Sequence, residues 1–259
     1  MAILTTHSLS VGFKNGKATT TLLSELNLSL EQGTLTALLG RNGAGKSTLL
    51  RAIGGSERPL SGCVKINGDD LHNMSFAQAA RLIALVTTER VSVGALTVRE
   101  LVELGRQPHT GFLGKLSAQD REAVEQAMEN TGIKDMAGKM MSQLSDGERQ
   151  KVMIARALAQ ETPVIILDEP TAFLDVANRI ETMQLLGELA HAQDKAVLLS
   201  SHDISQSLRL ADRLWLVTDN RSIICDSPQK ILSNNEMDRI FNSDHIRFNP
   251  TLLDFDYKS

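Results

Sequence analysis

The residues best suited to chemistry form one run, Gly40-Arg41-Asn42-Gly43-Ala44-Gly45-Lys46-Ser47, followed by Thr48. Its spacing is G-x-x-x-x-G-K-[ST], in which the glycines let backbone N–H groups close around phosphate oxygens. A helix beginning there adds its positive end, Lys46 offers charge to the β- and γ-phosphates of a nucleotide, and the Ser47 hydroxyl is placed for Mg²⁺. A second run, Val164-Ile165-Ile166-Leu167-Asp168-Glu169-Pro170, delivers two adjacent carboxylates after four aliphatics. Two carboxylates at the end of a buried strand cost free energy unless they are partnered or put to use. Asp168 suits a divalent cation held through its water shell, and Glu169 suits polarising the water that attacks a γ-phosphate. Seen alone, the pair also reads as a solvated turn.

His202 follows Ser200-Ser201 and another aliphatic run, so it places a titratable group at a third strand end, where it reads as a γ-phosphate contact. In Leu144-Ser145-Asp146-Gly147-Glu148-Arg149-Gln150, Ser145 and Glu148 form an S-x-x-E capping box, which needs no purpose beyond starting a helix. A capped helix start is also an anion site, so the same atoms could face a nucleotide supplied by another subunit. Locally these two readings stand level.

These groups need a frame. Leu22 to Leu30 alternates apolar and polar residues up to Gly33, the period of a half-buried strand; Thr34 to Leu39 reads as a short buried strand, and Lys46 to Ile53 as a helix. Cys63 to Ile66 reads as another strand in a turn-rich stretch, and Ser75 to Gln160 as a mainly helical lobe. Val164 to Leu167 and Ala196 to Leu199 read as strands buried on both faces, with a helix over about Val176 to Ala192 between them. Buried aliphatic strands alternating with helices imply a parallel sheet, whose ligands gather at the strands' carboxyl ends. Each polar motif above is expected at such an end. The tail after His245 shows little pattern.

The composition bounds the rest. With 27 Lys and Arg against 31 Asp and Glu among 259 residues, the net charge of −4 argues against a nucleic-acid partner. It also makes direct attraction to anionic lipid unfavourable. Cys63 and Cys225 lie far apart without metal-ligand spacing, which points to neither a disulfide framework nor a zinc site. No leader pattern and no run of about 18 apolar residues occurs, so a cytoplasmic chain is expected. Seven Phe, one Trp and one Tyr leave the core to aliphatic and Ala packing.

In this order the motifs resemble those of the ATP-binding cassette family of ATPases over nearly the whole chain. GRNGAGKST is similar to its Walker A motif, LSDGERQ to its signature motif, IILDEP to its Walker B motif, Ala172-Phe173-Leu174-Asp175 to its D-loop, and His202 to its switch histidine. The resemblance implies an α/β fold: a P-loop NTPase core with a mainly parallel sheet, an N-terminal antiparallel β-subdomain and an inserted helical subdomain. It implies one nucleotide-binding domain over 1–259, with 1–87 and 161–245 as core and antiparallel sheet, 88–160 helical and 246–259 a tail. ATP and Mg²⁺ are the implied cofactors. Two copies are expected head to tail, trapping ATP between the Lys46 loop of one and Ser145, Gly147 and Glu148 of the other, beside Asp175. Phe13 stands where the family carries an aromatic that stacks on adenine, with a core strand residue as the other reading.

Two departures stand out. After Ile83-Ala84-Leu85-Val86 the family usually has a glutamine that touches Mg²⁺; here Thr87-Thr88-Glu89 follows, and Glu89 or Thr88 is expected to replace it. Asp146 and Glu148 stand in place of a usual glycine and glutamine, adding negative charge that Arg149 could offset. Leu96-Thr97-Val98 through Leu104-Gly105-Arg106-Gln107-Pro108-His109 is similar to the helical lobe of importers for iron-siderophore complexes, haem and cobalamin. The implied role is the ATPase of such an importer on the cytoplasmic face of the inner membrane, bound to an integral membrane permease dimer and indirectly served by a periplasmic binding protein. The competing reading is a soluble ATPase of iron–sulfur cluster assembly. A binding module without hydrolysis is disfavoured by Glu169 and His202.

Overall fold

The computed structural model describes residues 1–16, 18–87, 95–111, 114–242 and 244–258. The chain opens with strands β1 (Ala2–Asn15), β2 (Ala18–Leu26) and β3 (Ser29–Glu31), all antiparallel to one another where they pair. The alternation from Leu22 to Leu30 is thus split between two strands. At the break the Thr6 hydroxyl donates to the Leu26 carbonyl and accepts from the Leu28 N–H, satisfying backbone groups the ladder leaves open. Next come β4 (Leu35–Leu39), helix α1 (Lys46–Ile53), β5 (Ser61–Ile66), β6 (Asp69–Asp70), α2 (Phe76–Ala79) and β7 (Ile83–Val86). β5 and β6 join β1 to β3 in an antiparallel sheet.

Helices α3 (Val98–Glu103), α4 (Ala118–Asn130) and α5 (Asp146–Ala159) form the inserted helical layer. Each starts with a capping box, Thr97 with Glu100, Ser117 with Asp120 and Ser145 with Glu148. β8 (Val164–Leu167), α6 (Val176–Ala192), β9 (Ala196–Ser200), α7 (Ile204–Leu210), β10 (Arg213–Val217) and β11 (Ile223–Asp226) complete the main sheet. Its order is β11-β10-β4-β9-β8-β7, parallel except for the β11 edge. Helices α8 (Pro228–Ser233) and α9 (Glu236–Phe241) lead to a hairpin, β12 (Ile246–Asn249) with β13 (Asp254–Tyr257).

The aliphatic runs follow from the sheet's position. Leu35, Ala37 and Leu39, with Ile165, Leu167, Val197, Leu199, Leu214 and Leu216, face one core built with the helical layer, α6 and the C-terminal segment. Leu38, Val164, Ile166, Ala196, Leu198, Trp215 and Val217 face a second core, shared with α1 and the antiparallel sheet. Every residue of β8 and β9 is buried, so period-2 polarity disappears and the sequence becomes a continuous aliphatic run.

One buried polar knot holds the helical layer together. Arg106, 3% exposed, donates to Asp120 at 2.9 Å, to the Ala159 carbonyl at 2.6 Å and to Glu161 at 2.6 Å. The Ser117 hydroxyl and N–H, and then Arg106, hold the Asp120 carboxyl down at about 2. Arg106→Met should lower unfolding free energy by about 3 kcal/mol in urea titrations at neutral pH, because the Ala159 carbonyl and one oxygen of buried Asp120 lose the Arg106 donor. A folded-state value below that of an unfolded Asp stabilises fully above pH about 4, and the contribution is lost as pH falls toward about 2. Ser117 keeps its bonds to Asp120 in the variant, so only the smaller share supplied by Arg106 differs, and the gap between wild type and variant should narrow modestly in acid.

Candidate active site

The phosphate-loop motif leaves β4 and enters α1, with β4 lying between β9 and β10. Gly43 (φ 75°) and Gly45 (φ 94°) take left-handed conformations that a side chain would strain. Gly45 is the α1 N-cap and makes no side-chain cap bond, so the first N–H groups of the helix are left for an incoming acceptor. Lys46 is 5% exposed, and its Nζ donates to the carbonyls of Gly40 at 3.0 Å and Arg41 at 3.3 Å. Burial pulls its pKa below that of an ordinary lysine, opposed by the charges of Glu169 and Asp168. Asn42 is exposed, Ala44 and Thr48 are half-buried, and the Arg41 side chain turns away to α9.

The adjacent strand ends bring the other groups to this loop. The parallel register pairs Leu38 with Ser200 and Leu167 with Leu199, so β4, β8 and β9 finish at one level. Asp168 is buried and accepts from Ser47 Oγ at 3.1 Å and Ser200 Oγ at 2.7 Å. Ser200 Oγ in turn accepts from the Glu169 N–H at 2.9 Å. Glu169 sits at φ 48°, a strained conformation of the kind that persists where surrounding bonds dictate it. Its Oε1 is hydrogen-bonded to Nε2 of His202 at 2.6 Å. Ser47, Asp168, Glu169 and His202, far apart in sequence, are thus linked beside Lys46.

Ser200 is the functional residue that sequence reasoning passed over. It is fully buried and ties the Asp168 carboxylate and the Glu169 backbone to β9; a hydroxyl closing an aliphatic run beside an Asp-Glu strand is the signal that could have found it. Arg179 is a second, donating to the Leu174 carbonyl at 3.1 Å and to Asp203 at 3.3 Å, and so joining the Asp175 loop to the segment after His202.

The expectation that every polar motif lies at a strand end fails for residues 144–150. Ser145 is the N-cap of α5 in the helical layer, its hydroxyl bonded with Glu148, because a capping box starts a helix wherever the chain needs one. Gly147 lies against the N-terminal turn of α6, where a Cβ would meet the Asn178 side chain at 2.8 Å. Asn178 Nδ2 donates to Asp175, the α6 N-cap. Arg149 pairs with Asp146 at 3.8 Å, as the offset of its charge requires, and Glu148 pairs with Lys139 at 3.7 Å. Phe13, opposite Thr20 on β1, is 53% exposed, which removes its reading as a core residue. Thr87 follows the end of β7 and is half-buried; Thr88 and Glu89 lie outside the described residues.

A family model described as ABC transporter matches residues 23–172, more than half of the chain. The chain belongs to the ABC transporter family. The cobalamin import ATP-binding protein of Halobacterium salinarum is 41% identical over 87% of this chain and 56% of its own length, so this chain spans about half of that relative. The achromobactin transport ATP-binding protein of Dickeya dadantii is 37% identical over 94% of this chain and 89% of its own. A solved metal-chelate type ABC transporter in an inward-facing conformation superposes with a TM-score of 0.79 at 29% identity, over 93% of this chain and 89% of its own.

As a member of the ABC transporter family the chain binds ATP and is an ATPase coupled to transport. Its fold is the family's α/β P-loop core with antiparallel and helical subdomains. Iron–sulfur cluster assembly finds no support among these relatives. Among the described residues no helix is long and apolar enough to cross a membrane.

Proposed function

We propose that this ABC ATPase powers import of a metal chelate, an iron-siderophore or related complex, by closing as a head-to-tail homodimer on ATP and driving a separate permease dimer. The observation that carries the ATPase chemistry is the linked set at three strand ends, Lys46, Ser47-Asp168-Ser200 and Glu169-His202. The relatives' cobalamin, achromobactin and metal-chelate names support the cargo class. Docked on that permease, and served indirectly by a periplasmic binding protein, the chain works at the cytoplasmic face of the inner membrane. It acts as one nucleotide-binding domain, with helices α3 to α5 as its helical part and the β12–β13 hairpin after α9.

In this reading the phosphates lie on Gly40, Arg41, Asn42, Gly43, Ala44, Gly45, Lys46, Ser47 and Thr48, and Phe13 stacks on the base from its exposed strand position. Lys46 exchanges the carbonyls of Gly40 and Arg41 for phosphate oxygens. Glu169 takes the proton of the attacking water, while His202 orients that carboxylate and touches the γ-phosphate. Ser47 and Asp168, two hard oxygens 3.1 Å apart, fit Mg²⁺, which needs only one or two protein ligands beside waters and phosphate. When bound it would supply positive charge to offset that of the phosphates. Glu89 or Thr88 is the proposed further contact. Ser145, Gly147 and Glu148, with Asp175, complete the site of the other copy; in support, Ser145 stands exposed at the N-terminus of α5.

Tagged chain expressed from its own operon and captured from detergent-solubilised membranes should bring down a polytopic permease that stimulates its ATPase. Recovery of soluble scaffold proteins alone would overturn the importer reading.

A further inference from the structure

Arg41 stands inside the phosphate loop, yet its side chain leaves it. Nε donates to the Ile240 carbonyl at 3.1 Å, and Nη2 reaches the Asn242 carbonyl at 3.5 Å, at the C-terminal end of α9. A guanidinium there also meets the negative end of the helix. On the loop side the Arg41 carbonyl accepts from the Ala44 N–H at 3.2 Å and from Lys46 Nζ at 3.3 Å. One residue therefore grips α9 with its side chain and the first loop turn with its backbone.

The far side of this contact is itself anchored. Asn242 Oδ1 accepts from the Phe248 N–H at 3.1 Å, which fastens the end of α9 to β12. Phe255 on β13 meets Phe248 and Phe241 edge to face, with ring centres 5.4 and 6.1 Å away. Ile240 and Phe248 belong to the buried core beside the main sheet. A continuous set of contacts thus runs from the terminal hairpin through α9 and Arg41 to Lys46.

We propose that Arg41 is a positioning residue for ATP binding, clamping the phosphate loop to the unit of α9 and the β12–β13 hairpin so that the loop is pre-formed and the hairpin tunes ATP affinity. The inference rests on residues 40–48 being the phosphate site and adds what sets their conformation. A loop with three glycines has much backbone freedom to lose on gripping phosphate, and a clamp removes that freedom beforehand.

The test is steady-state ATPase and ATP binding by the full chain carrying Arg41→Ala, Arg41→Lys, Phe255→Ala or Arg41→Ala with Phe255→Ala. Arg41→Ala should raise KM for ATP about fivefold, with the loss in KM rather than kcat, as removal of a charge-assisted anchor predicts. Arg41→Lys should recover most of the affinity, because an ammonium can still donate to one carbonyl. Phe255→Ala should raise KM less, and the double variant should be no worse than Arg41→Ala alone. Unchanged KM in Arg41→Ala, or effects that simply multiply, would overturn the clamp. Lys46→Ala measured alongside separates the failures. Retained ATP binding in that variant rejects the phosphate site, whereas lost binding with Arg41→Ala unaffected rejects only the clamp.

Discussion

Glu169→Gln should slow ATP turnover about a thousandfold while leaving ATP affinity within a few-fold, the outcome for removing a general base and keeping its shape. The amide preserves the side-chain volume and can still bond to His202, now 2.6 Å from Oε1. The backbone bond from the Glu169 N–H to Ser200 is untouched, so the strained φ of 48° is retained. What disappears is the group that accepts a proton from water. Because closure on ATP is then followed by no hydrolysis, the variant should also accumulate as a nucleotide-bound dimer on size exclusion. Turnover at the wild-type rate would remove Glu169 from the role of base.

The second large effect is expected at the other end of the chemistry. Lys46→Ala should weaken ATP binding about a hundredfold by calorimetry, the scale of a charge-assisted contact of about 3 kcal/mol. The fold should survive, because Lys46 donates to the two loop carbonyls of Gly40 and Arg41 rather than to the core, and its burial already disfavours the charged ammonium. A thermal melt close to wild type, together with lost binding, distinguishes a missing phosphate contact from a damaged core. ATP affinity equal to wild type would reject residues 40–48 as the phosphate site. The pair of variants divides the site cleanly, since one is predicted to bind without turning over and the other to fold without binding.

Much of the frame was legible because it is dictated by burial on both faces. The runs Val164–Leu167 and Ala196–Leu199 could be read as inner parallel strands, the second extending one residue further to Ser200, and the helix Val176–Ala192 between them appears at the expected place. The loop at residues 40–47 was legible because glycines at left-handed positions leave a local trace in sequence. The split of Leu22–Leu30 was not, since a hydroxyl from Thr6, twenty residues earlier, bridges the break. The terminal hairpin escaped notice because its strands are four residues each, too short for a period, and are joined by aromatic contacts.

By itself the sequence determined which chemical groups are present and the local backbone that carries them: a glycine loop with a lysine, two carboxylates after an aliphatic strand, a capped helix start and a histidine. Those choices depend on side-chain type and neighbours within a few residues, where spacing is informative. Only the tertiary structure decided that Ser47, Asp168, Ser200, Glu169 and His202 share one hydrogen-bonded set, that residues 144–150 stand apart in the helical layer, and that Arg41 turns to α9. These are contacts between segments up to about two hundred residues apart, and they are set by sheet order and register. Neither leaves a periodic trace in the chain, because strand pairing is selected by the packing of whole faces rather than by adjacent residues.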